Sequence, residues 1–169
     1  MNFKKILFNA SIILLDKIIQ LLGIILIILG VLFLLSLISY SPEDPNFIFS
    51  ENKEINNFLG FKGSFISDFF FQAIGLVSFL IPLSIIITGI NILLNKKIIV
   101  FFENLFFIVL YSVVGSFFLS IFYKNSFFLT VNGNGGFIGN FFNKSFLEKL
   151  AKSNTDISYI CLLFIIIFL

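Results

Sequence analysis

The chain reads as an all-α membrane protein: a four-transmembrane-helix bundle, its fourth helix truncated, with one short amphipathic surface helix. Three observations predict that class. The runs Ile18–Ser39, Phe69–Leu94 and Asn104–Tyr123 contain no charged side chain, and each is long enough to cross a bilayer. A spanning helix needs roughly 20 apolar residues to cover about 30 Å of hydrocarbon. Hydrophobic residues make up 59% of the 169 residues and charged ones only 12%, with a mean hydropathy of +1.10. So little charge could not cover a soluble core of this size. Finally, the apolar runs are continuous and lack period-two alternation, which selects helices over a barrel, since backbone groups in lipid must be satisfied internally.

Residues 1–17 open with Lys4 and Lys5, then the apolar stretch Ile6–Leu15, then Asp16 and Lys17. A charged start and a short apolar core also describe a signal peptide. No small-residue cleavage pattern follows, however, and a full span begins directly afterwards. An uncleaved segment along the cytoplasmic face is expected, followed by a membrane domain over 18–169 with spans at about 18–39, 69–94, 100–123 and 157–169. The last run, Ile157–Leu169, would reach only about 20 Å at helical rise and reads as a truncated span.

Loop 40–67 is acidic, with Glu43, Asp44, Glu51 and Glu54 beside Lys53 and Lys62. Pro42 and Pro45 stop the first helix and stiffen its exit, and Asp44 before Pro45 favours an extended turn. Gly60 and Gly63 let the backbone fold back. Asp68 is expected to cap or flank the second span, where the helix dipole favours an acid. Inside that span Pro82 lacks an amide hydrogen and clashes with the carbonyl of Ser78, so a kink is expected there. Gly75, Ser78, Pro82 and Gly89 fall near one face, and Ser112, Ser116 and Ser120 recur at four-residue spacing in the third span. Small residues let membrane helices approach, either within the chain or between subunits. Asn95-Lys96-Lys97 makes a tight hairpin.

Loop 124–156 holds Gly133 to Gly139 and then a segment with helical periodicity. There Ile138, Phe141, Phe142, Phe146, Leu147 and Leu150 face one way, while Asn140, Asn143, Lys144, Glu148 and Lys152 face the other. That pattern fits a helix lying in the headgroup plane. Lysine counts nearly balance across the membrane. Short loops and the first helix weigh most in the positive-inside bias, so Lys4, Lys5, Lys96 and Lys97 favour a cytoplasmic N-terminus.

No charge falls in the middle of a span, which lowers a transporter or channel reading; a free-standing small membrane regulator stays open. Lys144-Ser145 follows Asn143 rather than Gly, so no phosphate-binding Gly-x-x-x-x-Gly-Lys-Ser/Thr loop exists. With no His and one Cys, Cys161, neither a disulfide, a transition-metal site nor a Cys–His or Ser–His pair is expected. No catalytic, metal or cofactor residue is expected.

The residues that carry most information are Ser39, Tyr40, Pro42, Asp44 and Pro45, then Asn57, Gly60, Gly63 and Asp68, then Gly75 and Pro82. In this order they resemble the N-terminal four-span membrane domain of the FtsK/SpoIIIE-type DNA translocases. That family shows Ser-Tyr-x-Pro-x-Asp-Pro after its first span, then Asn-x-x-Gly-x-x-Gly-Ala, then an acid, a Gly and a Pro. Ser64 stands here in place of the Ala, and Asn46-Phe47 where Ser-Trp is common. Gly135, Gly136 and Gly139 likewise resemble the family's Gly-Gly-x-x-Gly before the fourth span. The resemblance implies the membrane anchor of a hexameric ATP-driven motor that moves chromosomal DNA at the division septum. It implies an inner-membrane location with both ends cytoplasmic, and loops that contact division proteins. ATP, Mg and DNA would belong to a motor domain absent from these residues.

Overall fold

The computed structural model describes residues 3–45, 54–126, 128–129, 131–144, 149 and 152–168. Among the described residues six α-helices follow in order: α1 (Phe3–Ile38), α2 (Gly60–Ile74), α3 (Leu80–Asn95), α4 (Ile99–Phe122), α5 (Gly136–Asn143) and α6 (Thr155–Phe168). A 3-10 turn, Gly75–Phe79, joins α2 to α3, so these form one interrupted rod. Among the described residues three helical stretches are long and apolar enough to cross a membrane: Ala10–Ile38, Gly60–Asn95 and Ile99–Phe122. The shorter apolar α6 is the fourth member of this all-α membrane bundle.

The principal packing is α1 against α3, antiparallel, and glycines set how closely they meet. A Cβ placed on Gly23 would lie 2.8 Å from the Gly89 carbonyl oxygen, and one on Gly89 would lie 2.7 Å from that of Gly23. About two turns further along, a Cβ on Gly30 would lie 3.1 Å from the Pro82 carbonyl oxygen. In lipid, where burial of apolar area does not drive helices together, such backbone approach is what gains dispersion contact. Helix α4 runs back beside α3. Ser84 and Tyr111 share a hydroxyl hydrogen bond of 3.0 Å, and Asn104 Nδ2 donates to Thr88 Oγ1 at 2.7 Å. Helix α6 returns antiparallel to α4, with the Tyr159 ring against Phe118 and Phe122. At the hairpin end Lys96 Nζ reaches Asp16 at 3.0 Å, tying α1 to the turn between α3 and α4. The most buried apolar cluster, Leu37, Phe71 and Leu129, sits at the opposite, loop-bearing end.

Four expectations change. The boundary at residue 17 is not a helix break: α1 continues through Asp16 and Lys17, because neither Gly nor Pro interrupts the chain before Gly23. The second helix starts at Gly60, not near residue 69, so its first turns were hidden in what reads as loop. The break falls at Gly75–Phe79 rather than at Pro82, which occupies the first turn of α3, where a missing amide costs little. The surface helix is α5, and its polar face packs on α4 instead of facing water. Gly136 and Gly139 are buried, while Phe137 and Phe141 are each 62% exposed. Asn140 and Asn143 point inward instead, with Ser120 Oγ donating to Asn140 and Asn143 Nδ2 donating to the Ser120 carbonyl. Lipid reverses the soluble rule: the rings can face the bilayer while small and polar residues pack inside. Phe146, Leu147, Glu148 and Leu150 lie outside the described residues, as do Asn46 and Phe47.

Candidate functional site

Ser36 in the last turn of α1 and Ser39 and Tyr40 just past its end fix the first loop. Ser36 Oγ donates to the Gly63 carbonyl at 2.7 Å, and Ser39 Oγ accepts the Phe58 amide at 3.1 Å. The loop itself closes around Asp44, which is 3% exposed. Its Oδ1 accepts both the backbone amide and the side-chain amide of Asn56, at 2.9 and 3.1 Å, and its Oδ2 accepts the Asn57 amide at 2.9 Å. A buried carboxylate holding several N–H donors is a strong local clamp. Asn57 is the matching piece. Its Nδ2 donates to the Ser36 carbonyl at 2.9 Å, and its Oδ1 accepts the Leu59 amide at 3.1 Å, which starts α2 without a conventional cap. Pro45 is buried and its carbonyl accepts Ser64 Oγ at 2.9 Å, whereas Pro42 is exposed. Gly63 is packed so tightly that a Cβ would overlap the Asn57 side chain.

Asp68 does not cap α2. It lies more than two turns inside, 9% exposed, and its Oδ1 accepts Tyr40 Oη at 3.2 Å and Gln72 Nε2 at 3.4 Å. Burial above all, then the Asp68 charge and hydrogen bond, then Asp44, push the Tyr40 hydroxyl above the ordinary tyrosine range, so it stays a donor. From Gln72 the chain of polar contacts continues. Asn132 Nδ2 donates to Gln72 Oε1 at 2.9 Å, Asn140 Nδ2 donates to the Asn132 carbonyl at 2.7 Å, and Ser120 closes on Asn140. Tyr40, Asp68, Gln72, Asn132, Asn140 and Ser120 therefore link the first loop to the second across the bundle.

The second loop meets the helix break backbone to backbone. Gly75 has φ +65° and Gly136 has φ +64°, conformations that disfavour any L side chain. The Leu76 amide, freed at the break, donates to the Asn134 carbonyl at 2.9 Å. A Cβ on Gly75 would overlap that same carbonyl, and one on Gly136 would sit 2.5 Å from the Gly75 nitrogen. Gly135 and Gly139 lie over the Ser116 carbonyl, and Ser116 Oγ donates to the Ile74 carbonyl at 3.0 Å. Ser78 is buried and donates to the Gly75 carbonyl at 2.6 Å. Gly75, Ser78, Pro82 and Gly89 are thus all engaged within the chain, and the two motif loops come together at one end. Sequence reasoning missed Ser36, Asn132, Asn134 and Asn140 as partners. Only the density of Asn and Ser between apolar runs hinted at them.

A model for the 4TM region of DNA translocase FtsK/SpoIIIE matches residues 17–169. A DNA translocase FtsK of Rickettsia bellii (strain RML369-C) is 46% identical over 55 residues, covering 32% of this chain and 7% of that protein. The DNA translocase FtsK of Rickettsia prowazekii (strain Madrid E) is 35% identical over 85 residues, 50% of this chain and 11% of its own length. That of Rickettsia typhi (strain ATCC VR-144 / Wilmington) is 34% identical over 86 residues, again 11% of that protein. No solved structure matches the chain. The matched stretches are a small part of these relatives, and the match to the 4TM region takes in both loops and every helix from residue 17 of α1 to α6: the chain belongs to the family of FtsK/SpoIIIE four-transmembrane regions.

Proposed function

We propose that this domain is the membrane anchor of an FtsK-type DNA translocase, holding an ATP-driven motor at the division septum. The observation that carries the reading is the match to the FtsK/SpoIIIE 4TM region over residues 17–169. The rigid joining of the two motif loops supports it, because a docking surface must keep its shape to be recognised. In this reading the domain sits in the bacterial inner membrane with its N-terminus cytoplasmic, and the loops carried beyond α1 and α4 meet division proteins on the far side. Self-assembly, as a hexamer, follows from the family resemblance. ATP, Mg and DNA engage the motor part of the whole protein.

The test is septal recruitment. A fluorescent fusion of residues 1–169, produced in dividing bacteria depleted of their own FtsK membrane region, should concentrate at constricting septa. An Asp44→Ala fusion should stay in the membrane and lose that concentration. Uniform membrane fluorescence of the unaltered fusion throughout division would refute the anchoring role. A channel role would instead reveal itself as solute leakage from vesicles carrying the pure domain.

A further inference from the structure

Two clefts at the loop-bearing end share a wall and carry opposite charge. The first, of about 430 Å³, lies between α2 and α5 and is almost wholly apolar: Phe65, Phe69 and Phe137 line it, with Asp68 and Asn132 at one point. The second, of about 450 Å³, shares Asn132 and Phe137 with it and is flanked by Lys124 and Lys144. No lysine among the described residues lies within ion-pair distance of Asp68, and neither Lys124 nor Lys144 meets a carboxylate there. Asp68 Oδ1 is occupied by two neutral donors. A carboxylate so placed beside aromatic rings calls for a cation, which both the charge and the ring faces attract.

The depth of these clefts is also defined. Asp68 is hydrogen-bonded to Tyr40, just past the end of α1, and Lys124 follows the end of α4 directly. Both α1 and α4 end here, so the clefts lie at the level where apolar spans give way to loops, which is headgroup depth. Phe69 and Phe137, 59% and 62% exposed, face outward there.

We infer that these paired clefts bind one zwitterionic phospholipid with a primary ammonium headgroup, seated across Phe137 with its ammonium at Asp68, its phosphate at Lys124 and Lys144, and an acyl chain along the phenylalanines. A primary ammonium brings N–H donors to a carboxylate, which a choline group lacks. An anionic glycerol headgroup would be repelled by Asp68. The bilayer supplies such a lipid directly, and charges of both signs on one wall match it better than the single cation of a partner's lysine.

Native mass spectrometry of the delipidated chain, equilibrated with equal amounts of phosphatidylethanolamine, phosphatidylcholine and phosphatidylglycerol of identical acyl chains, tests this. Phosphatidylethanolamine should be retained preferentially. Asp68→Asn should lower its retention by roughly tenfold, the scale of one charge-assisted hydrogen bond, and move the preference to phosphatidylglycerol. The exposed-site double variant Lys124→Gln/Lys144→Gln should weaken all three lipids while preserving their order. Circular dichroism checks that each variant keeps its helices; should Asp68→Asn fail to fold, Phe137→Ala, at an exposed ring, should erase the preference instead. Equal retention of the three lipids, or a phosphatidylethanolamine preference untouched by Asp68→Asn and Phe137→Ala, would overturn the assignment. So would a preference for phosphatidylglycerol in the unaltered chain, which would mark an ordinary basic contact.

Discussion

A carboxylate at 3% exposure that accepts three N–H groups, as Asp44 does, cannot be shortened without leaving those donors to find water or go unpaired. Asp44→Ala should therefore destabilise the loop-bearing end by about 3 kcal/mol, read as loss of protection in hydrogen exchange of residues 54–60. Pro42→Ala, at an exposed turn position, should change stability by less than about 0.5 kcal/mol. An equal response of both positions would assign the loop's shape to the prolines after all. Tyr40 offers a second reading at this scale. Its proton is held more tightly in the folded state than in the unfolded chain, where the ordinary value is about 10. The extra stability is intact below that pH and fades as pH rises beyond it through the folded value. Tyr40→Phe should cost about 1 kcal/mol near neutrality. The gap between the two proteins in thermal unfolding should narrow above about pH 10, and a gap independent of pH would contradict the Tyr40–Asp68 bond.

Among the helices, two glycines of nearly equal φ separate backbone strain from packing. Gly60, at +61°, has open space where a Cβ would go, whereas a Cβ on Gly75, at +65°, overlaps the Asn134 carbonyl. Gly60→Ala should cost about 1 kcal/mol, the left-handed penalty alone. Gly75→Ala should cost several times more and free the second loop, seen as a lower unfolding midpoint and faster proteolysis between residues 123 and 135. Similar losses at both sites would remove the contact from the explanation. The comparison also says why the break was illegible: Pro82 announces itself chemically, but the conformation of Gly75 is set by a residue 59 positions away. Continuous apolar runs made the spans plain in the sequence, and α4 departs from expectation by a single residue at each end. The start of α2 was concealed because Gly60, Lys62, Gly63 and Ser64 carry loop chemistry while being helical. The surroundings of α5's polar face were misread because Asn140 and Asn143, expected to meet water, pair with Ser120 of α4.

For the molecule as a whole, the ends of α1 and α4 mark one side of the membrane, and the Lys96–Asp16 pair marks the other. With Cys161 changed to Ser, a membrane-impermeant maleimide added to intact cells should label Pro42→Cys and Asn125→Cys but spare Lys97→Cys. Labelling of Lys97→Cys alone would invert the orientation. Membership of the family and the four-helix plan were legible from the order of Pro, Gly and acidic residues. The joining of the loops was not, since it rests on contacts such as that of Asn132 with Gln72, 60 positions apart. The polar chain from Tyr40 to Ser120 has a consequence for biogenesis. As the ribosome delivers the chain, α1 and α3 can dock once residue 95 has emerged, yet the Gln72 side-chain oxygen and the Leu76 amide stay without their partners until Asn132 and Asn134 arrive. A nascent protein halted before that point would expose amide groups to acyl chains.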